Sequence, residues 1–300
     1  MNRTATLAAP RPIDWLNLLF LAAAHLLAVA GVAWMIWGQF SLWTLGLAVL
    51  YFALCGLGIT GGYHRLFSHP TYKANRALKL FYLIFGAASV QNSALKWSAD
   101  HRLHHRKVDE EEDPYNIRRG FWWAHMGWVI AKEPARELDF RHVPDLRDDP
   151  LVMWQHRWYV PLAIIFGAVV PTALGFLWGD PIGAFLVAGF LRLVIQYHAT
   201  FAVNSVAHYI GSQPYTDENS ARDHFVTAVI TLGEGYHNFH HRFQADYRNG
   251  VRWYQLDPTK WFVWTLSKVG VTWDLRRTPQ DRIQKAIETM RAKRAAATAS

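Results

Sequence analysis

Four long apolar stretches alternate with polar sequence along the chain. Residues 13–37 carry only Asp14 at their margin and His25 within, and residues 40–62 carry no charge. A second pair follows at 159–178 and 182–203, where Arg192 is the lone charge. At about 1.5 Å rise per residue, each is long enough to cross a hydrocarbon core of about 30 Å. Only Gly38-Gln39 and Gly179-Asp180-Pro181 separate the members of each pair. The pattern therefore predicts two transmembrane hairpins with almost no loop on one side. Pro161 and Pro171 fall within the third stretch, where membrane helices tolerate them better than soluble ones do. The apolar runs at 78–90 and 121–131 are too short to span and predict helices lying along the membrane surface. Trp122, Trp123 and Trp128 would anchor the second of these. The polar parts are 63–157 and 204–300. The last segment, 279–300, is basic, and its spaced Ile283, Ile287 and Met290 predict a surface helix. The fold class is thus an all-α integral membrane protein, one domain over 1–300, with four spans, interfacial helices and a polar cap.

Composition agrees with a membrane class, at 51% hydrophobic and 15% aromatic residues with 15 Trp. The net charge of +8 matters less than its placement: of 31 Lys and Arg, all but Arg192 lie outside the spans, on the side that holds both termini. The positive-inside rule makes that side cytoplasmic. The basic residues nearest the membrane, Arg65, Lys73, Lys96, Arg102, Arg106 and Lys107, suit anionic lipid or the phosphates of an acyl donor. Nucleic acid is not an expected partner. The first apolar run is longer than a signal-peptide core and lacks a small-residue cleavage site, so no cleavable signal is expected. Cys55 is the lone cysteine, which excludes an intrachain disulfide and reads as a buried thiol.

Histidine carries the candidate chemistry. His101, His104 and His105 stand at i, i+3 and i+4, and so do His237, His240 and His241. These positions share one face of an α-helix, so the imidazoles converge. His64 and His69 are five apart, which is not a shared α-helical face, and Pro70 pushes His69 out of helical geometry. His64 is therefore expected on the last turn of the second span, with His69 just beyond it. His208 follows the fourth span directly. These nine of the 15 histidines lie on one side of the membrane. They are too many for one ion and suit two ions of coordination four to six. Imidazole accepts zinc, copper, nickel or iron. A site at the end of membrane spans points to an acyl chain as substrate. Such a chain offers only C–H bonds, which call for a redox metal with oxygen. Glu234 is placed to orient a ligand imidazole, and the acidic run 109–113 reads as a solvated cap. His198 reads as a hydrogen-bond partner of a ligand imidazole or its water. Arg192 either pairs inside the bundle or snorkels towards the interface, or else meets substrate.

Four motifs occur in order: His-Arg-Leu-Phe-Ser-His at 64–69, Asp-His-Arg-Leu-His-His at 100–105, Asn-Ser-Val-Ala-His at 204–208 and His-Asn-Phe-His-His at 237–241. Over about residues 13–265 the chain resembles the membrane fatty acyl desaturases, and most closely the Δ9 acyl-CoA desaturases of stearoyl-CoA desaturase type. The resemblance implies two Fe2+ ions. One would take His64, His69, His101, His105 and His240. The other would take His104, His208, His237 and His241, with Asn204 acting through water. Trp97 and Asp100 would lie near the bend of an acyl tunnel or the substrate head. Phe201 stands where eukaryotic members have tryptophan, and Ala99 where they have arginine, both positions that concern head-group contacts. The implied reaction is O2-dependent cis desaturation of a saturated acyl chain linked to CoA, a carrier protein or a lipid. No cytochrome b5 haem motif, dinucleotide fingerprint or iron–sulfur cysteine cluster is present. A separate donor of ferredoxin or cytochrome b5 type, with its reductase, is therefore expected. The short chain favours a bacterial origin and hence the inner membrane. The competing readings are a membrane di-iron lipid hydroxylase and a non-catalytic membrane metal-binding protein.

Overall fold

A computed structural model describes residues 11–38, 41–132 and 140–299. Within them are four helices long and apolar enough to cross a membrane: Trp15–Trp37, Leu42–Ser68, Tyr159–Trp178 and Pro181–Tyr209. Asp14 caps the first by accepting from Asn17 N, and Ser41 caps the second by accepting from Trp43 N. Gln39 of the first hairpin turn, and Phe40, lie outside the described residues. In the second turn the buried Asp180 carboxylate fastens three spans together. It accepts from Gly183 N at 2.9 Å, from Trp34 Nε1 of the first span at 3.0 Å and from Thr44 Oγ1 of the second at 2.6 Å. A tight turn thus becomes the clamp at the loop-poor end of the bundle.

The second span changes character before it ends. From Gly58 to Ser68 it winds as a π-helix, in which residues five apart are joined. His69 N accordingly donates to His64 O at 3.1 Å, and the two rings stand 4.9 Å apart. The i to i+5 spacing that an α-helix would splay is brought together by this wider winding. Glycine makes it possible: a Cβ on Gly58 would lie 2.6 Å from Gly86 N of the neighbouring helix. That neighbour, Arg76–Ala88, was expected along the membrane surface. Instead it is wedged against the second and third spans, with Tyr82, Leu83, Ala87 and Ala88 fully buried. Its run Leu80-Phe81-Tyr82-Leu83-Ile84-Phe85 is apolar all round, and such a helix gains most by burial on every face.

Below the spans the cap is built on one core. Tyr63, Leu66 and Phe67 of the π-helix pack with Tyr82, Leu83, Leu95, Val152 and Val263 from four further helices. The helix Ala94–Arg106 is started by Ser93, which accepts from Lys96 N, and held by Gln155, which accepts from Ala94 N and donates to Tyr63 OH. A two-stranded antiparallel ribbon, Lys73–Ala74 with Thr272–Trp273, is the small departure from an all-helical plan. The tail helix Gln280–Ala299 seats Ile283, Ala286 and Met290 on the cap, where Ile283 and Ala286 meet Tyr215 and Phe239. Its apolar face is therefore spent on protein, not on lipid.

Candidate metal centre

Four separate segments deliver the nine histidines. The π-helix end gives His64 and His69, the helix Ala94–Arg106 gives His101, His104 and His105, the end of the fourth span gives His208, and the helix His237–Arg242 gives the rest. They fall into two groups: His64, His69, His101, His105 and His240, and then His104, His208, His237 and His241. Within each group, one ring nitrogen per residue lies within 4.8 Å of all the others. Each helical triplet is split between the groups, because the face that is shared at i, i+3 and i+4 still spreads its ring tips to either side.

Three of the ring edges turned away from the groups face acceptors. Glu234 Oε2 stands 2.7 Å from His64 Nδ1, and Asp113 Oδ1 stands 2.8 Å from His104 Nδ1. Ser220 Oγ lies 2.7 Å from His208 Nδ1 and gives its own proton to Asp109 Oδ1. Each acceptor fixes Nδ1 as the protonated nitrogen, so each Nε2 turns a bare lone pair inward. Inside, these atoms crowd. His240 Nε2 is 3.0 Å from both His64 Nε2 and His105 Nε2, and His237 Nε2 is 3.0 Å from both His208 Nε2 and His241 Nε2. His104 Nε2 is buried with no hydrogen-bond partner among the described residues. Burial first, and the facing imidazoles second, hold His69, His101, His105, His237, His240 and His241 well below the ordinary histidine value. They are neutral near pH 7, as ligation requires. Converging lone pairs repel one another unless a cation lies between them. The donor set therefore fits two metal ions bound by imidazole.

The acidic run 109–113 is not simply a solvated cap. Asp109 adopts φ 66°, a left-handed conformation that aspartate tolerates, and the turn brings Asp113 back under His104. Asp109 and Asp113 are buried while Glu110, Glu111 and Glu112 face solvent. Arg65 is likewise not a membrane-facing cation. It is 1% exposed and donates to Glu234, Asp257 and the Tyr247 carbonyl. Burial alone would raise the Glu234 carboxyl, but His64 and Arg65 bring it down to about 2. Arg192 lies inside the bundle, donating to Ala188 O, Ala88 O and Gln196 Oε1. His198 meets neither group; it bonds to His25 and His125. Sequence spacing gave no sign of Asp113, Ser220 or Asp109 as partners, since each reaches its histidine through a turn.

Against the histidines runs a cavity of about 990 Å³ that all four spans line, with Leu21, Phe52, Ile164 and Phe201 among its apolar walls. His64, His101 and His237 also line it, as do Asn204, Asp100 and Lys96. Trp97 forms part of the wall and stacks on His101 at 4.9 Å. Phe201 stacks on Tyr197 at 5.8 Å.

Four membrane-length helices, with clustered histidines able to bind metal at one end of an apolar cavity, define a multi-pass membrane protein with a metal-binding centre. The profile of the family described as fatty acid desaturase matches residues 41–275, and the chain belongs to that family. It is 46% identical over 284 residues to a probable acyl-CoA desaturase of Schizosaccharomyces pombe, covering 94% of this chain and 59% of that one. It is 46% identical over 241 residues to acyl-CoA desaturase 1 of Saccharomyces cerevisiae, covering 80% and 47%. To stearoyl-CoA desaturase 2 of Mus musculus the identity is 35% over 282 residues, covering 91% and 77%. The chain thus spans about half the length of the two fungal relatives.

Proposed function

We propose that the protein is an oxygen-dependent di-iron desaturase that introduces a cis double bond, at Δ9, into a saturated fatty acyl-CoA. The observation that carries this reading is the pair of imidazole groups opening on an apolar cavity lined by all four spans. His64, His69, His101, His105 and His240 would hold one iron. His104, His208, His237 and His241, with Asn204 through a water, would hold the other. When bound, the irons supply the redox chemistry with dioxygen that unactivated C–H bonds demand.

The chain's own residues do the rest. Glu234, Asp113 and the Asp109–Ser220 pair fix the tautomers of His64, His104 and His208, so the ligand lone pairs stay aimed before any metal arrives. Trp97 and Phe201, which line the cavity, would hold one pair of methylenes for reaction, while the apolar spans exclude water. Asp100, with Lys96 and Lys132 on the same cavity, would meet the polar head of the substrate. The names of the relatives support CoA as acyl carrier. Electrons come from a separate ferredoxin or cytochrome b5 type donor on the cytoplasmic face, where the basic loops lie. In a bacterial cell the protein would occupy the inner membrane.

The test is turnover of stearoyl-CoA by the purified, iron-loaded protein with oxygen and a reductant, and location of the product double bond by mass spectrometry. A cis-9 alkene formed only with reductant is expected. An alcohol product, or no reductant-dependent product, overturns the reading.

A further inference from the structure

Three histidines outside the two groups form one hydrogen-bonded row. His25 Nε2 lies 3.1 Å from His198 Nε2, and His198 Nδ1 lies 3.0 Å from His125 Nε2. At one end His25 Nδ1 is 2.7 Å from the Leu21 carbonyl oxygen. At the other, His125 Nδ1 is 2.9 Å from Ser205 Oγ, which donates to the Phe201 carbonyl. Burial first and the facing His198 second hold His125 below the ordinary histidine value, and the Phe201 carbonyl beside its ring offsets part of that. The row crosses from the first span to the fourth and on to the short helix Trp123–Gly127.

Counting protons shows what the row can do. Leu21 O only accepts, so a proton sits on His25 Nδ1. Each of the two imidazole–imidazole links takes one more. While the Ser205 proton goes to Phe201 O, the last link needs a proton on His125 Nδ1. That makes four protons, whereas three neutral imidazoles bring three. In this state the row carries one shared positive charge. If Ser205 turns its hydroxyl to His125 Nδ1, three suffice. Every link then points the same way, with protons on His125 Nε2, His198 Nε2 and His25 Nδ1. Both states leave no ring nitrogen unpaired, and they differ by one proton and one hydroxyl rotation.

We infer that this row is a one-proton store that loads and unloads at Ser205. One aromatic face accommodates the charge: Phe121 stacks on His125 at 5.8 Å. The other ionisable groups on the packed elements are engaged elsewhere. Asp14 caps the first span, Arg192 is held by Ala188 O and Gln196, the Tyr197 hydroxyl donates to Val90 O, Arg119 lies over Trp123, and the Tyr209 ring meets Phe121. The unloading end, buried Ser205, directly follows the helix Arg192–Asn204, whose Phe201 and Asn204 line the cavity.

The use of the store rests on the desaturase reading. Removing two hydrogens from R–CH2–CH2–R′ with O2, two electrons from the separate donor and two protons yields R–CH=CH–R′ and two waters. The row supplies one of those protons to a cavity built to exclude water. Its residues position and hold a proton and touch no reacting atom.

Two measurements on the full chain in lipid nanodiscs test this. Histidine 15N spectra should show one doubly protonated ring that deprotonates in a window below about pH 6.5, since burial lowers His125, with 15N–15N coupling across the row. His198→Asn should remove that signal. In turnover, His198→Asn should slow desaturation on the order of a hundredfold, lose the matching limb of the pH profile and regain rate on added imidazole. His25→Gln serves as the second variant, and iron content reports that each still folds. No imidazolium across that window, or an unchanged pH profile in both variants, overturns the store. Absence of alkene from the wild-type protein, with the imidazolium present, overturns the desaturase reading and leaves the store standing.

Discussion

At the scale of single residues, the centre is decided by which nitrogen of each imidazole carries the proton. His104 is the sharpest probe because its Nε2 points into the second group while its neighbours His101 and His105 serve the first. On the di-iron desaturase reading proposed above, His104→Ala is expected to abolish desaturation and to lower bound iron from about two per chain towards about one, read by metal analysis of the purified protein. Retention of both irons would remove His104 from the ligand set. Glu234→Gln tests the outer support. It keeps the shape but weakens the hold on His64 Nδ1 and on Arg65, so iron affinity should fall about 10–100-fold in a competition titration with a chelator. The histidines themselves were legible from spacing, and Glu234 as a carboxylate that orients an imidazole, although the imidazole it meets is His64 and not its neighbour His237. Asp113 was not, because the left-handed turn at Asp109 returns it to His104 and no periodicity encodes that.

At the scale of elements, the π-helical end of the second span is the piece on which the geometry turns. It brings His64 and His69 into one group despite their spacing of five, and it depends on close contact with the helix Arg76–Ala88. Gly86→Ala probes that contact. In an exposed helix the exchange would gain about 1 kcal/mol from propensity. Here a Cβ would fall 2.2 Å from the Tyr63 ring, so a loss of about 1–3 kcal/mol is expected, read as a lower thermal midpoint. Tyr63 adjoins His64, and activity should fall with it. A midpoint at or above that of the wild type would refute the packing argument. The four spans were readable from length and apolarity alone. The burial of the helix 76–88 was not, since a short apolar run suits a membrane surface and a protein interior equally well.

At the scale of the whole molecule, the Arg65–Glu234–Asp257 network links the second span to the cap through contacts more than 160 residues apart in sequence. Its charge state couples folding to acid. Glu234 titrates at about 2 in the folded protein against an ordinary 4.5. A carboxyl depressed in this way contributes stability that is complete above the unfolded value and is lost as pH falls through the folded one. The window is therefore about pH 4.5 down to 2, and the size is on the order of 3 kcal/mol. Thermal midpoints measured across that window should fall with pH in the wild-type protein, and the slope should be shallower in Glu234→Gln. Equal slopes would show that other carboxyls dominate.

The sequence by itself determined the four spans, the sidedness of the charge and the helical spacing of the two histidine triplets. Each of these is a local property: a length, a count or a period along one helix. Spacing left open how nine imidazoles divide; the family resemblance implied the two sets that the tertiary structure brings together, and only the tertiary structure decided which acceptors orient them. It also decided that His25, His125 and His198 meet. Those outcomes depend on pairs such as His25 and His198, 173 positions apart, whose approach is set by how whole helices pack. Local spacing carries no information about a partner on another span, so the donor set was visible in the sequence, its division came only through likeness to a family, and its orienting contacts came from the fold.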